Sequence, residues 1–299
     1  MLFIIFAIKA IISLFLYLLS LILLAILSLL FCVLSCILPT SNMRKKTKNF
    51  YTKNFPIWFM IFNSAIAQIS TRNKWDVRGQ GELDTSHFYL MISNHRSWID
   101  ILVLCVAFKG TVSPLKFFMK KELLWQLPLA GIACHVLGYP FMSRHTHAEV
   151  RKNPGLKRKD IETTKLACKK LKELSPTTLI NFLEGTRLTE PKRLKQQSPF
   201  HYLLKPRAGG VAIVLNEMHD VLAGVINVVI HYTGAAPNLW DFASGKVGKI
   251  TVQYELIAIT KELLGDYEND RAYRTRLQQW LNTLWHQNDD LLSALENKM

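Results

Sequence analysis

His87-Phe88-Tyr89-Leu90-Met91-Ile92 is an apolar run, and Ser93-Asn94-His95-Arg96-Ser97-Trp98-Ile99-Asp100 follows it directly. The run reads as a buried strand. Ile99 to Phe108 reads as a helix, with Asp100 in its first turn, where the helix terminus favours an ionised carboxylate. His95 then stands at the strand's exit and Asp100 one bend away. An Asp that holds one ring nitrogen of a His fixes its tautomer and leaves the other nitrogen free as a base. The spacing His-x4-Asp is common by itself. Its weight comes from the rest of the chain.

Working back toward the N-terminus, residues 1 to 38 carry one charge, Lys9, among Leu, Ile, Phe, Ala, Val, Ser and Cys. A bilayer-spanning helix needs about 20 apolar residues, so the run exceeds one span. It reads either as one tilted helix or as two short helices meeting in the bilayer. It is too long for a signal peptide and lacks a basic leader and a small-residue cleavage site. Arg44, Lys45, Lys46, Lys48 and Lys53 come next. Positive residues beside a span stay cytoplasmic, which places residues 44 to 299 on that side. Residues 50 to 70 are aromatic-rich. They read as an interfacial amphipathic helix or as a second buried helix, and Pro56 argues against an unbroken one.

The chain has 299 residues, enough for one sizeable domain beside a membrane segment. Lys plus Arg is 37 and Asp plus Glu is 22, a balance of +15. That balance points to anionic partners, and an anchor beside it favours lipid over nucleic acid. Cys32, Cys36, Cys105, Cys134 and Cys168 have no C-x-x-C spacing and read as reduced, small apolar side chains.

Working forward, residues 74 to 84 read as a short strand and loop. Their Gly79-Gln80-Gly81 lacks the third glycine and the following helix of a nucleotide fingerprint. Leu115 to Met119 reads as a strand, and Lys120 to Trp125 begins a short helix interrupted by Pro128. Gly138 to Arg144 reads as a strand ending in a cation. Asp160 opens a helix to about Leu174, its basic residues forming a solvated face. Thr177 to Leu183 reads as a strand running into Glu184-Gly185-Thr186-Arg187. Residues 188 to 204 read as a mobile polar loop and 206 to 217 as a helix. Val221 to Tyr232 and Lys249 to Ile259 read as strands. Residues 270 to 295 form an amphipathic helix with Leu277, Trp280, Leu281, Leu284 and Trp285 on one face. Strands alternate with helices, which argues for an α/β domain with a mixed central sheet flanked by helices.

Three charged groups fall at strand ends: His95 with Asp100, Arg144, and Glu184 with Arg187. Such ends are where α/β domains gather their sites. No Ser or Cys nucleophile accompanies the His-Asp pair, so the His would activate a substrate's own hydroxyl. Guanidinium groups match phosphate geometry, so Arg144 and Arg187 suit an anionic head group. Gly185 permits close backbone approach and Thr186 offers a hydroxyl. The plainer alternative for Glu184 and Arg187 is an ion pair fixing a turn.

Four blocks together resemble the membrane-bound 1-acyl-sn-glycerol-3-phosphate acyltransferase (PlsC-like) family. They are Asn94 to Asp100 for N-H-x4-D, Gly138 to Arg144 for G-x-x-F-[IM]-x-R, and Phe182 to Arg187 for F-P-E-G-T-R. Lys121 to Gly131 is similar to the family's K-x-x-L-x-x-x-P-x-x-G stretch. Order and spacing match over about residues 85 to 230. The resemblance implies acyl transfer from acyl-CoA or acyl-carrier protein to the hydroxyl of a lysophospholipid, with no metal and no bound cofactor. It implies that His95 is the general base and Asp100 its orienting partner. It gives Arg144, Glu184, Gly185, Thr186 and Arg187 to the acceptor. Leu183 replaces the family's usual Pro and Ser143 its frequent Asp. Val225 to Val229 lacks the Pro common in the fourth block. These departures lean toward the branch resembling lysocardiolipin acyltransferases.

The chain is therefore expected to divide into a transmembrane segment (1–40), a basic and aromatic interfacial helix (41–73) and an acyltransferase domain (74–299). The expected setting is a bacterial inner membrane with the domain facing the cytoplasm. The competing readings are acylation of lysophosphatidylglycerol or lysocardiolipin, a thioesterase, and a non-catalytic polybasic lipid-binding protein. A thioesterase lacks support from any G-x-S-x-G elbow.

Overall fold

The β2 strand, Phe88–Ser93, is buried along its whole length and lies near the middle of a six-stranded sheet. In this computed structural model the described residues are 2–71, 74–126, 128–142, 151–153 and 155–297. The other sheet strands are β1 (Trp75–Gln80), β3 (Leu115–Phe117), β6 (Thr178–Phe182), β7 (Leu222–Tyr232) and β8 (Ile250–Ile257), in the order β1-β8-β7-β2-β6-β3. All neighbours are parallel except β7 and β8. A parallel strand covered on both faces needs apolar residues at every position, which is why β2 reads as a continuous run. A small parallel pair, β4 (Met119–Lys120) with β5 (Phe141–Met142), stands apart.

Helices cover both faces. On one lie α6 (Gly155–Lys172), α8 (Ala208–Met218) and α10 (Arg271–Glu296), which pack Leu171, Val211, Leu215, Leu277, Leu281 and Trp285 against Leu90, Ile92 and Val225. On the other lie α2 (Ser41–Ser70), α3 (Asp100–Ala107) and α9 (Leu239–Ser244), around Met91, Ile226, Val228 and Tyr232. The short helices α4 (Leu123–Gln126), α5 (Pro128–Val136) and α7 (Glu190–Lys195) complete the domain. The result is a mixed α/β sandwich, as the alternation of patterns indicates.

The apolar N-terminus is one helix, α1 (Leu2–Ile37), about 54 Å long at 1.5 Å per residue. Residues Ile4–Ile37 are long and apolar enough to cross a membrane. The helix runs antiparallel to α2 and is bonded to it. Ser13 and Ser70 share a hydroxyl hydrogen bond of 2.8 Å, and Ser20 Oγ donates to Asn63 Oδ1 at 3.1 Å. Lys9 Nζ donates to the Ser70 carbonyl at 3.0 Å. Near the start of α1, Phe6 lies under Lys246. Near its end, Phe31 packs with Tyr51, Phe55 and Leu137. The α/β domain therefore meets α1 close to both of its ends.

Two expectations change here. Pro56 lies inside α2 without ending it. Proline removes one backbone donor and crowds the preceding turn, but Pro56 is itself buried, and Phe55 and Met60 beside it are packed. Tertiary burial outweighs the local penalty. Residues 188 to 204 are not a mobile loop. They contain α7, Phe200 and Leu203 are buried in the main core, and Leu204 is fully buried beside them. Asp289 on α10 also binds them, accepting from the His201 and Tyr202 backbone N–H groups at 2.8 and 2.7 Å. Smaller differences are that α6 begins at Gly155, ahead of Asp160, and that the run 115–119 divides between β3 and β4.

Candidate functional site

Parallel register brings two sequence motifs side by side. Ser93 at the end of β2 pairs with Phe182 at the end of β6. Two residues beyond each are His95 and Glu184. The His95 backbone N–H donates to Glu184 Oε1 at 2.9 Å, and the Leu204 N–H donates to Glu184 Oε2 at 3.1 Å. On the other flank, Asn94 extends the β2–β7 pairing past the strand end. Its amide accepts from the Ile230 N–H at 2.8 Å and donates to the Ile230 carbonyl at 2.9 Å. His95 is thus fixed from both neighbouring strands.

Asp100, at 0% exposure, is the buried anion of the site. Its Oδ2 accepts from His95 Nδ1 at 2.7 Å and from the Arg96 and Ser97 N–H groups at 2.7 and 2.9 Å. Its Oδ1 accepts from the Tyr232 hydroxyl at 2.6 Å. A buried carboxylate requires such donors, because an unpaired one carries a large desolvation cost. The contact with Oδ2 makes Nδ1 the protonated ring nitrogen and leaves Nε2 with its lone pair. The His95 ring also stacks on Phe182, with centroids 4.1 Å apart and planes at 17°. The arrangement holds an imidazole as a base in one tautomer and one orientation.

The second motif supplies a turn and a cation. Gly185 has φ +66°, the left-handed region that favours glycine. Thr186 Oγ1 accepts from Lys192 Nζ at 2.8 Å. The Arg187 guanidinium lies 4.3 Å over the Trp98 ring, which is 69% exposed. Stacking on an aromatic face orients a guanidinium while leaving its N–H edges available. The Leu188 N–H donates to the His95 carbonyl at 2.8 Å, which joins the backbone next to Arg187 to that of His95.

The structure brings together six of the seven residues singled out from sequence: His95, Asp100, Glu184, Gly185, Thr186 and Arg187. Arg144 lies outside the described residues. Glu184 has a different place from the one expected. Both of its oxygens are bound by backbone N–H groups and it is fully buried, so it braces the His95 strand end instead of meeting an acceptor. It forms no ion pair with Arg187 among the described residues. Sequence reasoning missed Tyr232, Asn94, Phe182 and Trp98 as contributors. Asn94 and Trp98 were quoted within the motif, but Tyr232 reaches Asp100 across 132 positions and no local spacing marks it.

Comparisons with known proteins bear on the domain as a whole. A family model described as Acyltransferase matches residues 74–231. The chain is similar to 1-acyl-sn-glycerol-3-phosphate acyltransferase alpha of Homo sapiens and of Bos taurus, at 28% identity over 152 residues in each case. Those alignments cover 48% of this chain and 46% of each relative, so the chain spans about half the length of the curated relatives it matches. Its fold is similar to the crystal structure of the 1-acyl-sn-glycerophosphate acyltransferase from Thermotoga maritima. The TM-score is 0.50 at 16% identity, covering 96% of this chain and 97% of that one.

Two outcomes follow from the geometry. Tyr232→Phe leaves the buried Asp100 Oδ1 short of a donor. It should lower the unfolding free energy by about 1.5–3 kcal/mol, read by denaturant unfolding of the detergent-solubilised protein; an unchanged midpoint would remove the hydroxyl from the account. Burial pushes the Glu184 carboxyl up to about 8, more than its two backbone donors lower it. The folded state then keeps a proton that the unfolded state releases near 4.5, so the protonated group's stabilising share is complete below 4.5 and is lost as pH rises toward about 8. Unfolding midpoints should fall from pH 5 to pH 8.5 in wild type and fall less in Glu184→Gln. Equal slopes in the two proteins would contradict the assignment.

Proposed function

Because the chain belongs to the Acyltransferase family, we propose that it transfers an acyl chain from a thioester to the free hydroxyl of a lysophospholipid. The observation that carries this reading is His95, its Nδ1 held by a buried carboxylate, with Arg187 stacked on Trp98 three residues further along the same turn. The acceptor we assign is 1-acyl-sn-glycerol-3-phosphate, which yields phosphatidate, in line with the names of the curated relatives. The donor is acyl-CoA or acyl-carrier protein.

In this mechanism His95 Nε2 takes the proton of the acceptor hydroxyl. The hydroxyl oxygen bonds to the thioester carbonyl carbon, and collapse of the adduct breaks the carbon–sulfur bond. The departing thiolate regains the proton from the imidazolium. Asp100 stabilises the imidazolium and keeps Nδ1 protonated throughout. Arg187 binds the acceptor phosphate through the guanidinium edges that Trp98 leaves open. The sequence resemblance adds Arg144 to that phosphate site. Gly185 and Thr186 shape the turn from which Arg187 projects.

Acylation of lysophosphatidylglycerol or lysocardiolipin uses the same chemistry and is the second reading. Leu183 in place of the usual Pro supports it, since this residue closes the strand that carries Glu184. The decisive assay is acyl transfer by detergent-purified protein from acyl-CoA, and then acyl-carrier protein, to a panel of lysophospholipids. Wild type should acylate lysophosphatidate, and both His95→Ala and Asp100→Asn should lose at least a thousandfold in kcat/KM. Preference for lysophosphatidylglycerol or lysocardiolipin would select the second reading. Equal inactivity of wild type and His95→Ala with both donors would return the chain to a polybasic lipid-binding role.

The protein acts at a membrane in this proposal. The outward face of α1 is bare Ile, Leu and Phe. Its contacts with the domain extend from Phe6 to Phe31, about 38 Å of helix. That length exceeds the hydrocarbon thickness of about 30 Å, so a perpendicular α1 would drag the folded domain through lipid. We place α1 and α2 within one leaflet, with Arg44, Lys45 and Lys46 at the cytoplasmic surface. In a variant without native cysteines, Ile4→Cys and Lys46→Cys should both resist an impermeant maleimide outside intact cells. Both should react once the cells are opened. Labelling of Ile4→Cys alone from outside would show that α1 crosses.

A further inference from the structure

Three cations gather on the turn that follows Glu184, and the proposed acceptor phosphate occupies one of them. Arg187 stacks on Trp98. Lys192 Nζ reaches back across the turn, donating to Thr186 Oγ1 at 2.8 Å and to the Arg187 carbonyl at 3.0 Å. Those two bonds leave one ammonium N–H unused. Arg207 lies flat against Gly185: a Cβ there would sit 3.3 Å from Arg207 Cδ and 3.4 Å from its Nε and Nη1. None of the three cations meets a carboxylate among the described residues. Arg193, one position beyond Lys192, is paired bidentately with Glu190 by contrast. Glu184 does not neutralise them, because its two oxygens are turned inward to backbone N–H groups. Like charges held this close repel, and an anionic ligand relieves that repulsion.

We infer that Lys192 and Arg207 form a second anion subsite, beside the one at Arg187, which takes another phosphate of the bound substrates. The inference rests on the function proposed above and extends it. The side chains reach this position by different routes. Lys192 is placed by α7, and Arg207 is placed by its own backbone N–H, which donates to the Leu183 carbonyl at 2.9 Å just before the turn. The absence of a side chain at Gly185 opens the shelf on which the Arg207 guanidinium rests. A phosphate there would accept from the Arg207 edge and from the spare Lys192 N–H. Two sources carry such a group: the nucleotide end of a coenzyme A thioester, and a second phosphate on the lysolipid.

Steady-state kinetics of Arg207→Gln and Lys192→Gln separate the sources. Acyl-CoA is compared with the matching acyl-pantetheine, which lacks the nucleotide phosphates, and a monophosphate lysolipid with a bisphosphate one. For a donor phosphate, KM for acyl-CoA rises about tenfold in both variants while KM for acyl-pantetheine holds. For an acceptor phosphate, the rise appears only with the bisphosphate lysolipid. In either case the loss falls in KM and not in kcat. Calorimetric titration with coenzyme A and with the bisphosphate lysolipid reads the subsite without turnover, so it stands even if wild type is inactive on this panel. At least tenfold weaker binding of one ligand to Arg207→Gln supports the subsite. Unchanged affinity for both ligands overturns it, while an active wild type and a silent His95→Ala would leave the acyltransferase reading in place.

Discussion

A single ionised carboxylate with no access to water organises the centre of this protein. Asp100 needs donors on both oxygens, and they come from separate parts of the chain. The Arg96 and Ser97 N–H groups come from the turn between β2 and α3, the imidazole from the strand exit, and the Tyr232 hydroxyl from the end of β7. Satisfying the charge therefore sets the turn conformation, the tautomer of His95 and the position of β7 relative to α3 at once. Each bond is modest in isolation. Together they are what makes the buried ion tolerable, and any one of them moved would leave a charge facing apolar side chains.

The opposite flank answers with a second buried carboxyl under different rules. Glu184 has two backbone donors and a weaker attraction to Arg96, and burial outweighs them, so the acid form is favoured. Asp100 faces the imidazole itself, whereas Glu184 holds the His95 backbone and acts as a clip between the β2 and β6 ends. The clip also reaches Leu204, whose carbonyl accepts from Trp285 Nε1 at 3.0 Å. Through that bond α10 is tied to the strand end that presents His95.

Much of this was legible in the sequence, for reasons that can be located. β2, β6, β7 and α10 carry unambiguous patterns, and His95 and Asp100 lie close enough in the chain for spacing to betray them. Tyr232, which completes the carboxylate's shell, and the Asn94–Ile230 pairing depend on contacts across more than a hundred residues, where no periodicity helps. The stretch 188–204 misled because Glu190, Lys192, Arg193, Lys195 and two glutamines crowd its first half. Its order comes from Phe200 and Leu203, which enter a core built by distant elements. Pro56 misled in the opposite direction, as a local rule overridden by packing. Glu184 was singled out for the acceptor, with an ion pair to Arg187 as the plainer alternative, and its oxygens turn inward to backbone N–H groups, which no local pattern signals.

The N-terminal hairpin fits the same logic of polar groups that must be satisfied where water is scarce. Lys9, Ser13 and Ser20 lie in a largely apolar helix and each finds a partner on α2, whereas the buried Ser28 hydroxyl has none among the described residues. Next to this junction, a Cβ on Gly245 would come within 2.2 Å of the Ser70 carbonyl, so the end of α9 closes directly on the end of α2. These bonds are unavailable to a solitary helix in lipid, where an unpaired hydroxyl or ammonium is costly. They bind α1 to α2, and α2 in turn packs Met60 and Ala67 into the core beneath α3, the helix that begins with Asp100. The apolar N-terminal hairpin and the charged centre are therefore parts of one packed body.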